Sequence, residues 1–125
     1  MPFTRRAALA SPAVLLVPDA AEAHALVTGS VPAAGSRLEA APGEAVLRFN
    51  SRLDHARSQL LLAPLREGAG GTAGERRLAL TAPSPENELH ARLPALAQGR
   101  WRLRWQVLAL DGHITRGDIP FEIVG

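Results

Sequence analysis

Residues 24–125 predict an all-β domain, a Greek-key β-barrel or sandwich of about seven short strands. Three observations carry the prediction. Apolar segments of strand length recur between proline and glycine clusters, several alternate with the two-residue period of a half-buried strand, and no amphipathic helix of useful length intervenes. A chain of 125 residues has room for one such domain with a modest core.

Ahead of the strands, residues 1–23 read as an export leader. Arg5 and Arg6 supply a positive start, Ala7 to Val17 an apolar stretch, and Ala21-Glu22-Ala23 a small-x-small cleavage sequence. The apolar run is short and interrupted by Pro12 and Pro18, so no stable membrane insertion is expected. "TRRAAL" is similar to the twin-arginine export signal. Cleavage after Ala23 leaves 24–125 as the working domain.

The first strand begins at Leu26 to Thr28, and Val31-Pro32-Ala33-Ala34-Gly35 turns it. In "EAVLRFN", Ala45, Leu47 and Phe49 share one side and Glu44, Val46, Arg48 and Asn50 the other; "QLLLA" at 59–63 reads as a more buried strand. "REGAGGTAGER" is a loop whose glycines lack the spacing of a phosphate cradle. "RRLAL" at 76–80 and "ELHARL" at 88–93 continue the strand pattern across the turn-rich "TAPSPEN". Alternation is clearest in "RWRLRWQVLAL": Trp101, Leu103, Trp105, Val107 and Ala109 form a core face, and Arg100, Arg102, Arg104 and Gln106 a solvated one. "IPFEIV" closes the domain with Ile119, Phe121 and Ile123 on one side. The "RGD" just before it, at 116–118, is read as coincidental, with Gly117 easing entry into the last strand.

Composition narrows the chemistry. No cysteine is present, which removes disulfides, thiolate metal sites and cysteine nucleophiles, and the one methionine is Met1. All 14 basic residues are arginine, and 12 acidic residues leave a formal charge of only +2. With few aromatics and arginines spread along strands, a nucleic-acid partner is not expected. No Ser-His-Asp order or carboxylate pair in an apolar setting points to hydrolysis.

Two places concentrate metal-binding chemistry. Cleavage after Ala23 makes His24 the first residue, so one metal ion could take both its α-amine and an imidazole nitrogen in a chelate ring. Far along the chain, Asp111-Gly112 is a hairpin signal, and His113 follows Asp111 by two residues, where both side chains could converge on one side of a bend.

The opening "HALVTGSVPAAGSRL", the "VLRF" strand and "WRLRWQVLALDGHITRGDIPFEI" together resemble the CopC family of periplasmic copper-resistance proteins. The specific parts are the two ends: a histidine at the cleavage point, and a Trp-containing strand followed by Asp-Gly-His and a closing Gly-x-x-x-Phe strand. The resemblance implies a small Greek-key β-barrel, immunoglobulin-like (cupredoxin-like), that binds one Cu(II) ion at the edge of the fold. The implied ligands are the amine and imidazole of His24, the carboxylate of Asp111 and the imidazole of His113. Three nitrogens and one oxygen suit the tetragonal preference of Cu(II). The resemblance also implies a periplasmic copper carrier or buffer in homeostasis and resistance. It would not be an enzyme, and its partners would be the copper ion and an inner-membrane CopD-like transporter.

Two departures from the family stand out. The methionine-rich segments that form a Cu(I) site in some members are missing, and Ser51 falls where members often carry a glutamate near the copper. Asp54 and His55 are candidates for an auxiliary contact there; the plain reading of His55 is a loop residue, and of His90 a strand residue. Two other functions stay open. A terminal histidine with a second histidine also forms the copper brace of oxidative polysaccharide-cleaving enzymes, although this chain has no tyrosine and sets both tryptophans on a core-like face. A metal-free immunoglobulin-like interaction module is the other.

Overall fold

A computed structural model describes residues 25–65, 74–82 and 84–125; the leader, His24 and most of the glycine-rich loop lie outside them. Eight strands follow in order: β1 Val27–Val31, β2 Ser36–Leu38, β3 Glu44–Phe49, β4 Gln59–Pro64, β5 Arg76–Leu78, β6 Glu88–Arg92, β7 Gly99–Leu108 and β8 Ile114–Ile123. They form two sheets, one of three strands in the order β1-β3-β6 and one of five in the order β2-β8-β7-β4-β5. Pairing is antiparallel except where β2 runs parallel to β8. The only helix among the described residues is one 3₁₀ turn, His55–Arg57.

Alternation places the core between the sheets. Ala45, Leu47 and Phe49 of β3 and Leu89 and Ala91 of β6 are buried against Leu60 and Leu62 of β4, Leu103, Trp105 and Val107 of β7, and Ile119, Phe121 and Ile123 of β8. Phe49 meets Trp105 edge to face across the layers, with ring centroids 5.2 Å apart and planes at 79°. Each fully buried leucine or phenylalanine contributes about 1.5–3 kcal/mol, so this seam sets the fold as an all-β sandwich. The segment expected to be more buried is so: Leu60, Leu62 and Ala63 are buried, Leu61 is half-buried on the outer side, and no residue of β4 is exposed.

Three expectations change. There are eight strands, because Ser36–Leu38 is too short and polar to show a period yet pairs with Phe121–Ile123. The last strand starts at Ile114, so Arg116-Gly117-Asp118 lies mid-strand: Arg116 Nε donates to Gln106 Oε1 at 2.8 Å, and Gly117 lies opposite Trp105. A Cβ on Gly117 would come within 2.5 Å of Trp105 Cζ2, so the glycine makes room for the indole rather than loosening a strand entry. Lastly, the arginine face of β7 is paired rather than merely solvated. Arg102, with a side chain only 14% exposed, meets Asp118 at 3.5 Å, and Arg104 meets Glu75 at 2.9 Å.

Candidate metal centre

The β7–β8 hairpin closes through the segment 109–113. Gly112 N–H donates to the Ala109 carbonyl and Ala109 N–H to the His113 carbonyl, both at 2.9 Å. That ring pattern needs a left-handed residue before the second strand, and Gly112 supplies it at φ 94°. Behind the loop, Leu53 bridges Ala109, Asp54 N–H donates to the Leu108 carbonyl, and Leu110 N–H donates to the Arg52 carbonyl. Ser58 is buried; its hydroxyl donates to the Asp54 carbonyl at 2.8 Å and accepts Leu108 N–H at 3.1 Å. The hairpin root is therefore held from the side by the 52–58 segment.

On this base the structure brings Asp111 and His113 together. Asp111 Oδ1 accepts His113 N–H at 3.1 Å, an Asx turn, and the same oxygen lies 3.2 Å from His113 Nδ1. Both side chains are about half exposed, 46% and 51%. Cis donors at right angles, each about 2.0 Å from a metal, are about 2.8 Å apart. The observed spacing fits one edge of a tetragonal donor set.

His24 lies outside the described residues, but Ala25, the residue after it, is fixed. Thr115, two positions beyond His113 on β8, donates its hydroxyl to the Ala25 carbonyl at 2.9 Å. Ala25 itself is fully buried. Asn50 Oδ1 accepts Leu26 N–H at 2.8 Å, and Asn50 N–H donates to the Leu26 carbonyl at 3.0 Å. The entry of the chain is thus tied to both sheets beside the hairpin. Sequence reasoning missed Thr115 and Asn50, since nothing in a lone threonine or asparagine marks a tie to residues more than twenty positions away.

Asp54 and His55 stand near the hairpin root with other bonds. Asp54 Oδ2 meets Arg57 Nη1 at 3.2 Å, and His55 Nε2 donates to the Glu88 carbonyl at 2.6 Å. Among the described residues no group of three histidine or acidic side chains comes close enough to hold a metal, so Asp54 and His55 do not join Asp111 and His113 in one cluster. His90 lies in β6, with Nε2 2.7 Å from Glu88 Oε1 and Nδ1 3.6 Å from Glu44 Oε2. Glu88 Oε2 also faces Arg48 Nε at 3.4 Å. The His90 hydrogen bond, helped by Arg48 and opposed by partial burial, holds the Glu88 carboxyl below its ordinary value.

The CopC domain model matches residues 27–124. Protein YobA of Escherichia coli K12 is 29% identical over 124 residues, spanning 94% of this chain and 93% of the relative, and Protein YobA of Shigella flexneri matches equally. The fold superposes on the crystal structure of CopC from Methylosinus trichosporium OB3b with a TM-score of 0.67 and 24% identity, covering 81% of this chain and 94% of the other. Escherichia coli PcoC, described as a methionine-rich copper resistance protein, gives 0.62 and 24%, covering 80% and 98%. In contrast to that description, this chain has one methionine, at its start. No helix among the described residues is long and apolar enough to cross a membrane.

Proposed function

The chain belongs to the CopC family, and from that membership we propose that its processed form is a periplasmic Cu(II) carrier or buffer serving copper homeostasis and resistance. The observation that carries the reading is the Asp111–His113 donor pair, 3.2 Å apart, with Thr115 two residues on gripping the carbonyl of Ala25. Consecutive Cα atoms are about 3.8 Å apart, so an α-amine at residue 24 starts within a few ångströms of that grip. In this reading the leader 1–23 is removed after Ala23. One Cu(II) ion is then held by the amine and imidazole of His24, the carboxylate of Asp111 and the imidazole of His113. Copper is cargo here, not a reagent, and its natural recipient is an inner-membrane protein of the CopD kind.

Mass spectrometry of the exported protein should find residue 24 at the amino terminus. Electron paramagnetic resonance of the Cu(II)-loaded protein should resolve coupling to three nitrogens. Because every basic residue is arginine, an amine-acylating reagent modifies only the α-amine of the processed chain. Acylation should therefore remove one nitrogen from the spectrum and weaken binding more than about a hundredfold, beyond the usual effect of changes outside the ligand sphere. Unchanged affinity after complete acylation would reject the amine as a ligand. Oxidised sugar products from the copper form given a reductant and cellulose or chitin would reject the carrier reading in favour of an enzyme.

A further inference from the structure

Resting on the ligand set proposed above, we infer that Thr115 and Asn50 are positioning residues for the amino-terminal ligand, holding the chain entry in place before any metal arrives.

A chain terminus normally frays, and fixing the backbone of one residue costs conformational entropy. A ligand on the first residue would bear that cost in its affinity unless the fold had already ordered the approach to it. The ordering is visible at residues 25 and 26. Ala25 is fully buried and its carbonyl accepts the Thr115 hydroxyl at 2.9 Å. Leu26 has both backbone groups engaged by Asn50, N–H to Oδ1 at 2.8 Å and carbonyl to N–H at 3.0 Å. The two clamps come from opposite layers: Thr115 sits on β8 of the five-stranded sheet, and Asn50 directly follows β3 of the three-stranded one.

Thr115 has a further property. It lies two positions from His113 on the same chain segment, so the distance from the Ala25 carbonyl to the hairpin donors is set by one stretch of β8 rather than by a flexible loop. Asn50 blocks the remaining freedom, since a carbonyl held at a single point can still pivot, whereas two consecutive residues held from two sides cannot. The gain belongs to preorganisation and adds no contact with the metal.

The test compares Thr115→Val, which keeps the shape but removes the donor, with Thr115→Ser, which restores it. Thr81→Val serves as the control: Thr81 Oγ1 donates to the His90 carbonyl at 3.0 Å, a bond of the same kind elsewhere in the fold. With the α-amine free, Thr115→Val should raise the Cu(II) Kd about tenfold, the effect of one lost hydrogen bond. Thr115→Ser should recover most of the loss, and Thr81→Val should change Kd less than about twofold. After α-amine acylation, Thr115→Val should have no further effect, because there is no longer an amine to position. A purely structural role would give the same loss with the amine free or blocked, and that result overturns the inference.

A second readout needs no metal. In the copper-free protein, amide exchange at Leu26, followed by NMR, should rise in both Asn50→Ala and Thr115→Val and stay unchanged in Thr81→Val. Unchanged exchange in the first two also overturns the inference. Acylation that leaves wild-type affinity intact would instead remove the ligand assignment itself, and the need for positioning with it, so the two failures are told apart.

Discussion

Two places in this domain carry a carboxylate followed two residues later by a histidine, and they have opposite fates. Glu88 and His90 lie in β6, where the pleat sends both to one face; their side chains are 17% and 22% exposed, and they are bound into a cross-strand set with Arg48 and Glu44. Asp111 and His113 lie in a hairpin loop, where a bend around Gly112 brings them together, half exposed and beside the clamped chain entry. Residue type and spacing are nearly the same. The strand pair is bound to Arg48 and Glu44 of the neighbouring strand, while the loop pair lies two residues from the Thr115 tie to Ala25. The same spacing thus gains different surroundings according to which elements converge on it.

The largest expected contrast is in copper affinity. His113→Ala should weaken Cu(II) binding more than about a hundredfold, whereas His90→Ala should change it less than about threefold; competition titration against a chelator measures both, and equal losses would erase the distinction. Asp111→Asn comes next. It keeps an oxygen for the Asx turn and removes the charge, so the loop should hold its shape while affinity falls about ten- to hundredfold. An Asn substitution with wild-type affinity would show that the carboxylate is not a ligand.

Stability should invert the order. His90→Ala removes cross-strand pairing and should lower Tm slightly, while His113→Ala should leave the metal-free Tm nearly unchanged; calorimetry on both variants decides this. The smallest effect concerns acid. A carboxyl held below its ordinary value stabilises the fold fully above the ordinary carboxylate range, and that stabilisation is lost as pH falls through the lowered value. His90→Phe removes the main cause of the shift, so the loss of Tm between neutral pH and acid should be slightly shallower than in wild type. An identical Tm profile would place the pair outside the acid response.

Strands with strict alternation were legible from the sequence: the inward sets of β3, β7 and the end of β8 are the residues that the apolar period selects. The first half of β8 was not, because Thr115, Arg116 and Asp118 look like loop residues until their partners Ala25, Gln106 and Arg104 are known. The parallel β2–β8 pairing was hidden for a related reason, since three residues carry no period. Within the candidate site, the approach of Asp111 to His113 could be expected from the glycine-bearing bend. The clamps on Ala25 and Leu26 join residues 90 and 24 positions apart, and local pattern contains no information about them.

The two-layer grip on the chain entry has a thermodynamic corollary. β1 belongs to one sheet and the hairpin to the other, so a cation spanning the first residue and the hairpin would act as a rivet through the sandwich. A ligand at a hundred times its Kd adds about 2.7 kcal/mol to the folded state. Melting temperature would then gauge the cargo, and a protease that samples opened molecules would clear empty carriers sooner than filled ones.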